Sequence, residues 1–146
     1  MSTRTARTSW TGTLQEGSGT VELASSQLGT YEVSFPRRAA DEADGTTSPE
    51  ELIAAALSSC YSMQLSALVV EAGGTPKTFD VQADVSFGPD PAGGFRLPGI
   101  QLTVRGEVEG LDAGAFEEAA QAAATTCPVS KALTGVEITL DAALSS

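Results

Sequence analysis

Residues 46–66 read TTSPEELIAAALSSCYSMQLS, and this stretch predicts the long helix that organises the rest of the fold. Ser48 is a favoured N-cap residue, a proline follows at the first helical position, and Glu51 stands where a capping box places its carboxylate. Apolar and small residues then continue without a strong helix breaker until Gly73 and Gly74. We therefore expect one helix from Ser48 to Ala72.

Shorter elements are predicted on both sides of this helix. Before it we expect three strands, at Thr8–Leu14, at Thr20–Ala24 and through the alternating Tyr31, Val33 and Phe35. A charged loop over Arg37–Thr47 follows them. After it we expect two strands, Phe79–Phe87 and Ile100–Val108. Two helices follow, from Asp112 to about Thr125 and from Cys127 to Gly135, and then a last strand, Val136–Leu140. Strands and helices come in blocks rather than in strict alternation, which is typical of an α+β fold. Because no inter-domain linker is visible, we expect a single domain over residues 1–146.

The composition of the 146-residue chain argues against several classes of partner. The formal net charge is −11 with only eight cationic side chains, which opposes binding to nucleic acid or to an anionic membrane surface. The polar start MSTRTAR has no apolar run behind it, so we expect no secretory signal, and we expect no stretch long enough to cross a bilayer. The sequence therefore predicts a cytoplasmic protein with no nucleic-acid and no membrane partner.

Histidine is absent from the sequence. It is the commonest general base and the commonest metal ligand, so Ser–His hydrolysis, Cys–His proteolysis and histidine zinc sites are excluded. Neither a Gly-x-Gly-x-x-Gly motif nor a P-loop occurs. We therefore expect no metal and no bound organic cofactor, and any chemistry must use cysteine, carboxylate, arginine, lysine or tyrosine.

Two cysteines, Cys60 and Cys127, are the main candidates for chemistry. Cys60 lies on a mostly apolar face of the predicted long helix, where a cysteine is more often an inert core residue. Cys127 stands at the N-cap of a predicted helix, where free N–H groups stabilise a thiolate, although a capping cysteine can also be without chemistry. Because structural disulfides are uncommon in the cytoplasm, the pair favours redox cycling, provided that the fold brings the two cysteines together.

A nucleophilic Cys60 would need a nearby cation. An apolar environment raises the pKa of a thiol, and the middle of a helix offers no positive dipole end. Among the eight cationic residues only Arg37 and Arg38 are adjacent to each other, just before the cysteine-bearing helix. Arginine stays charged and binds a carboxylate through two parallel hydrogen bonds, which suits the task, although such a pair is also typical of a solvated loop.

Two motifs carry a resemblance to a known family. The first is the stretch 46–66, with its Pro-Glu-Glu-Leu helix start and Cys60, and the second is the Cys-Pro-Val-Ser run at Cys127–Ser130. Weaker collinear matches are Trp10-Thr11-Gly12, Gly17-Ser18-Gly19-Thr20-Val21, Glu71-Ala72-Gly73 and Glu137–Asp141. Over essentially its whole length the chain resembles the osmotically inducible protein C and organic hydroperoxide resistance (OsmC/Ohr) family, in its OsmC branch.

The resemblance implies both a fold and an activity. The fold is OsmC-like, with antiparallel sheets packed around a long central helix in an intertwined homodimer whose active sites lie at the subunit interface. The activity is that of a thiol-dependent peroxidase, with organic hydroperoxides as preferred substrates. Cys60 would attack the hydroperoxide and become a sulfenic acid, and Cys127 would convert that acid to a disulfide. An external dithiol, lipoyl-type or thioredoxin-like, would then restore both thiols.

The resemblance also assigns an arginine and a carboxylate to the site. Residues 35–38 resemble the arginine-bearing segment of the OsmC branch, with Arg38 favoured over Arg37 as the partner of the thiolate, and Glu50 matches the carboxylate that orients it. On one straight helix, however, Glu50 and Cys60 lie about 15 Å apart along the axis, too far for one arginine to contact both. We therefore predict that Glu50 and Cys60 of one active site come from different subunits, or else that the helix is interrupted between them.

Two other classes of function remain open. One is a non-peroxidatic small-molecule or acyl-binding α+β dimer with structural cysteines, which the apolar helix face would suit. The other is a structural protein stabilised by a disulfide. Alkylation separates the first of these from a peroxidase, because a poised Cys60 thiolate reacts quickly below neutral pH. The second predicts a loss of folding stability on reduction, without consumption of peroxide.

Overall fold

The computed structural model describes residues 1–145, which form eight strands and four helices. In chain order the elements are β1 (Arg7–Thr11), β2 (Ser18–Glu22), β3 (Thr30–Val33), α1 (Phe35–Arg38), α2 (Pro49–Glu71), β4 (Thr75–Val85), β5 (Gly88–Pro89), β6 (Phe95–Arg96), β7 (Ile100–Glu109), α3 (Ala113–Thr126), α4 (Pro128–Ala132) and β8 (Ile138–Leu144). This confirms the α+β class. The chain divides into two compact units, Met1–Leu52 and the residues from Ile53 onward, so one domain over residues 1–146 stays a prediction.

The first unit is built on an antiparallel sheet in the order β1–β2–β3. Strand β1 begins one residue before its predicted range and ends three residues earlier. Strand β2 has the predicted length and lies two residues earlier than predicted. Gly19 of β2 lies opposite Trp10 of β1. A Cβ at position 19 would lie 2.6 Å from the carbonyl oxygen of Ser9 and 2.9 Å from the indole ring, so only glycine permits this close approach.

The residues after β3 form a helical turn, α1, where the sequence predicted a strand through Phe35 and a charged loop from Arg37. Ser34 caps this turn, because its hydroxyl accepts a hydrogen bond from the N–H of Arg37 at 3.3 Å. Pro36 supplies the backbone φ that the first turn of a helix requires. The prediction was wrong here, and Arg37 and Arg38 project from a capped turn instead of a loop.

Helix α2 runs from Pro49 to Glu71 without interruption, one residue short of its predicted end at Ala72. The hydroxyl of Ser48 accepts a hydrogen bond from the N–H of Glu51 at 3.1 Å, which confirms the predicted cap. After the helix the chain reverses at Gly73, whose φ of 93° is one that glycine adopts most readily.

By length and composition alone, α2 could cross a membrane, contrary to the expectation that no stretch is long and apolar enough. Core helices of water-soluble proteins meet the same criterion. One face of α2 does belong to the core of the second unit, since four of its residues at four-residue intervals are fully buried: Leu57, Tyr61, Leu65 and Val69. Elsewhere on the helix Met63 is 73% exposed in the single chain.

The second unit contains a three-stranded sheet in the order β4–β7–β8. Strands β4 and β7 are antiparallel, but β7 and β8 are parallel, with Ile100 opposite Ile138. The fold therefore differs in one pairing from the expected antiparallel sheets. The physical reason is the crossover through α3 and α4, which returns the chain to the end of the sheet where β7 began.

The core of the second unit joins α2, β7 and α3. The rings of Phe79 and Phe116 meet edge to face at 6.4 Å, beside Gly106, where a Cβ would lie 2.9 Å from the Phe116 ring. Tyr61 satisfies its buried hydroxyl by donating to a backbone carbonyl of α3 at 3.0 Å. Cys127 is fully buried in this core and Cys60 packs against it, so both candidate thiols belong to the packing of the second unit.

Candidate active site

The fold of the second unit brings Cys60 and Cys127 into contact. Cys60 comes from the middle of α2, and Cys127 joins the end of α3 to the start of α4. Both are free thiols, and they lie close enough for each to influence the pKa of the other. One turn further along α2, the amide of Gln64 donates to the hydroxyl of Thr126 at 3.0 Å. This bond ties α2 to α3 beside the two thiols.

The surroundings of Cys60 disfavour its thiolate. Burial is the largest influence and raises the pKa of this thiol above its ordinary value. The hydrogen bond that Cys60 donates to Cys127 raises the pKa further, and the N–H of Val129 acts in the opposite direction. This confirms the expectation that an apolar, mid-helix position makes Cys60 a weak acid on its own.

The surroundings of Cys127 have the opposite effect. Burial is the largest single influence and would raise the pKa of this thiol, but several donors together outweigh it, so the pKa lies below its ordinary value. These donors are the S–H of Cys60, the N–H and the hydroxyl of Ser130, and the N–H of Val129. Cys127 is also the N-cap of α4, as predicted, with a proline at the first helical position.

Ser130 is a candidate that reasoning from the sequence missed. It is buried, its hydroxyl has no hydrogen-bond partner among residues 1–145, and it is one of the groups that lower the pKa of Cys127. The signal that identifies it is its place in the Cys-Pro-Val-Ser run, because the third helical residue is the one whose side chain can reach back to the N-cap.

Arg38 and Glu50 form a two-point ion pair within one chain. The Nε of Arg38 donates to both carboxylate oxygens of Glu50, at 3.0 and 3.1 Å, and a terminal guanidinium nitrogen donates to Oε1 at 2.7 Å. Glu50 is only 6% exposed, whereas about a third of the Arg38 side chain, 33%, is open to solvent. Such a bidentate pair fixes the orientation of the guanidinium plane.

Arg37 has a different partner from its neighbour. Its guanidinium contacts the carboxylate of Asp44 at 2.9 Å, and both side chains are exposed. Exposed ion pairs of this kind contribute little to stability. The geometry thus gives the two arginines different partners, and Arg38, which the family resemblance favoured, is the one that pairs with Glu50.

A cleft of about 510 Å³ lies beside Arg38 in the first unit. Its lining is mostly apolar and includes Trp10, Val21, Phe35 and Leu52. Among the described residues that line it, Arg38 is the only charged one. A largely apolar cleft with one cationic group suits a molecule that has an apolar body and a polar or anionic end.

Helix α2 contains both Glu50 and Cys60 and has no break between them. The prediction of an interrupted helix is therefore wrong: the run of small residues between them has good helix propensity and supplies neither proline nor glycine. The other prediction, that Glu50 and Cys60 of one site belong to different subunits, concerns a second chain and stays a prediction.

A metal centre is not formed within residues 1–145, where no three acidic or cysteine side chains are grouped to hold an ion. The buried carboxylate of Glu50 has both oxygens engaged by Arg38. The polar groups that could act on a substrate are therefore the two thiols and the guanidinium of Arg38.

Residues 41–141 match the family model described as OsmC-like protein. Over 137 residues the chain is also 42% identical to the peroxiredoxin OsmC of Escherichia coli K12. The aligned region covers 94% of this chain and 93% of that protein. This chain belongs to the OsmC-like protein family. The resemblance in the two cysteine motifs is thereby confirmed.

The chain is also similar to proteins named for organic hydroperoxide resistance. The organic hydroperoxide resistance protein OhrA of Bacillus subtilis is 35% identical over 106 residues, covering 71% of this chain and 72% of that protein. A crystal structure of an organic hydroperoxide resistance protein from Elizabethkingia anophelis superposes with a TM-score of 0.78 at 25% identity, over 99% of this chain and 98% of that one. The OsmC-like fold is therefore shared across almost the whole chain.

Proposed function

We propose that the protein is a thiol-dependent peroxidase that reduces organic hydroperoxides to alcohols, and hydrogen peroxide more weakly. The observation that carries the proposal is the contact between two free thiols, Cys60 and Cys127, in a member of the OsmC-like family. The names of its relatives support the same chemistry, since one is a peroxiredoxin and others are organic hydroperoxide resistance proteins.

The proposed reaction begins at Cys60. Its thiolate attacks the distal oxygen of the hydroperoxide, the O–O bond breaks, and the alcohol leaves, so that Cys60 becomes a sulfenic acid. Cys127 then attacks the Cys60 sulfur, a disulfide forms, and water is released. An external dithiol restores both thiols by exchange. Either a lipoyl-type or a thioredoxin-like dithiol is expected to serve, and the reducing cytoplasm is the expected compartment.

Arg38 is the proposed partner of the Cys60 thiolate. Burial raises the pKa of Cys60 within its own chain, so a cation must stabilise its charged form. Arg38 supports this assignment because it is always charged, is partly open to solvent and is oriented by Glu50. Glu50 is then a positioning residue, which would release Arg38 once the disulfide has formed.

A homodimer is part of the proposal. Glu50 and Cys60 lie ten residues apart on one continuous helix, and a second subunit would provide a Cys60 for the Arg38–Glu50 pair. Two large apolar side chains on α2, Met63 and Val70, are 73% and 58% exposed in the single chain, which supports coverage of this helix by a partner. The apolar cleft beside Arg38 supports an organic hydroperoxide as the substrate.

Thiol counting after a single addition of peroxide tests the proposal. The reduced protein is mixed anaerobically with cumene hydroperoxide, and free thiols are counted in the wild type, Cys60→Ser and Cys127→Ser. The wild type should lose both thiols as an intramolecular disulfide, Cys127→Ser should consume one equivalent, and Cys60→Ser should consume none. A wild type that keeps both thiols under these conditions contradicts the proposal and favours a non-peroxidatic acyl-binding dimer.

A further inference from the structure

The hydroxyl of Ser130 is a buried polar group that the reaction described above leaves unused. Ser130 is 6% exposed, and within residues 1–145 its Oγ has no conventional hydrogen-bond partner. An unsatisfied buried hydroxyl is unfavourable, so such a group in a packed core calls for a reason. Ser130 is the third residue of α4, the position whose side chain can reach back to the N-cap, and that N-cap is Cys127.

The geometry around Cys127 suits a charged sulfur better than a neutral one. Helix α4 starts at Cys127, and the thiol makes no side-chain capping hydrogen bond. Burial raises the pKa of this thiol, but Cys60 on α2, the N–H and the hydroxyl of Ser130, and the N–H of Val129 together lower it, because they favour the charged form. A neutral thiol is a weak acceptor, whereas a thiolate accepts several such bonds strongly.

We propose that Ser130 is a positioning residue of the disulfide-forming step, whose hydroxyl donates to the Cys127 thiolate and aims it at the sulfur of Cys60. The inference rests on the proposed peroxidase function. It adds to that function a residue that acts on the second thiol only, through a hydrogen bond that forms when Cys127 is ionised.

The step that Ser130 assists is balanced without a further reactant. The Cys127 thiolate attacks the sulfur of the Cys60 sulfenic acid, the S–S bond forms, the S–O bond breaks, and the hydroxide leaves as water after taking one proton from solvent. The sulfur of Cys127 is oxidised and the sulfur of Cys60 is reduced. In the later reduction step the external dithiol attacks Cys60, the S–S bond breaks, and Cys127 leaves as a thiolate that Ser130 stabilises again.

Titration of Cys127 tests the contact directly. In a Cys60→Ser background Cys127 is the one remaining thiol, and its ionisation is followed by the ultraviolet absorbance of the thiolate. Ser130→Ala should raise the pKa of Cys127 by about one unit, because one donor to the charged form is lost. Ser130→Thr, which keeps the hydroxyl, should restore the parent value. Thr125→Val is the matched control, since the hydroxyl of Thr125 donates to the Ala122 carbonyl at 3.2 Å.

Rapid-quench mass spectrometry with both cysteines present separates the two chemical steps. After cumene hydroperoxide is added, Ser130→Ala should form the sulfenic acid at the wild-type rate and the disulfide roughly threefold more slowly at neutral pH. The thiolate fraction falls about tenfold, but a more basic thiolate is more nucleophilic and recovers part of the loss.

An unchanged pKa of Cys127 in Ser130→Ala would overturn the inference. Equal slowing of sulfenic acid formation and of disulfide formation would also overturn it, because that result indicates a general packing role for Ser130. Failure of the proposed function looks different. In that case the wild type itself consumes no peroxide, and the present inference falls with it.

Discussion

Cys60 and Cys127 touch each other, yet their surroundings differ in kind. Cys60 lies in the middle of a long helix, and burial raises the pKa of its thiol. Cys127 lies at the start of a short helix, where backbone and side-chain donors lower the pKa of its thiol despite burial. Local acidity by itself would select Cys127 as the attacking thiol, which is the reverse of the roles that the family resemblance implies.

The contrast teaches that the two thiols obtain their reactivity from different sources. The lowered pKa of Cys127 arises within a single chain, from Cys60 on α2 and from Ser130 and Val129 on α4. The reactivity of Cys60 must come from a cation on another element, and the Arg38–Glu50 pair is the candidate. Removing that cation should therefore disable one thiol and leave the other almost unchanged.

Arg38→Ala is expected to have the largest effect among the variants that keep both thiols. Loss of the cation should slow the first turnover with cumene hydroperoxide roughly 100-fold, because a neighbouring positive charge shifts a thiol pKa by one to three units. Arg37→Ala should stay within about twofold of the wild type, since that side chain pairs with exposed Asp44.

Stability can be separated from this effect on activity. Arg38→Ala leaves the buried Glu50 carboxylate without its partner, at a cost of about 2 kcal/mol, less than for a fully buried pair because Arg38 is 33% exposed. The double variant with Glu50→Gln removes the unpaired charge and should recover most of that stability while staying slow. Recovery of activity in the double variant would show that Arg38 acts only on folding.

Mixing two inactive variants tests whether the cation of one subunit serves the thiol of the other. Cys60→Ser and Arg38→Ala subunits are combined by unfolding and refolding together. If sites are shared across the dimer, half of the dimers are mixed and each has one intact site, so about a quarter of wild-type activity returns. If Arg38 acts within its own chain, no activity returns beyond that of the separate variants. A monomer in solution would contradict the dimeric arrangement altogether.

The smallest expected effect is on the pH dependence of stability, with opposite signs for the two thiols. In Cys60→Ser the pKa of Cys127 is lowered on folding, so stability should rise as pH increases towards the ordinary thiol value of 9.0. In Cys127→Ser the pKa of Cys60 is raised on folding, so stability should fall as pH increases above that value. The measurement is urea unfolding of each single variant across this pH range, compared with the double serine variant. Slopes of the same sign would contradict the contrast.

Local signals in the sequence were sufficient for the starts of the two helices that carry Glu50 and follow Cys127. The serine cap predicted the start of α2, and the Cys-Pro run predicted the start of α4, because both depend on neighbouring residues alone. The turn at α1 was missed because alternating Tyr31, Val33 and Phe35 read as one strand, whereas Ser34 caps a helix within it. The partner of Arg38 was expected from the family resemblance.

Other features could not be read from the sequence because they depend on tertiary packing. The parallel pairing of β8 with β7 follows from where two helices return the chain, which no local pattern encodes. Likewise, the sequence offered two arginines for one role, and only the fold gave them different partners, Glu50 for Arg38 and Asp44 for Arg37. Ser130 was missed because its significance depends on burial and on a contact with sulfur.

The central claim is that Cys60 attacks the hydroperoxide, although Cys127 is locally the more acidic thiol. The most direct test is to trap the sulfenic acid and to identify the cysteine that carries it. Each reduced single-cysteine variant is treated with one equivalent of cumene hydroperoxide in the presence of dimedone, and the adduct is located by peptide mass spectrometry. We predict an adduct at Cys60 in Cys127→Ser and none at Cys127 in Cys60→Ser. An adduct at Cys127, with Cys60 unmodified, would contradict the account and reverse the roles of the two thiols.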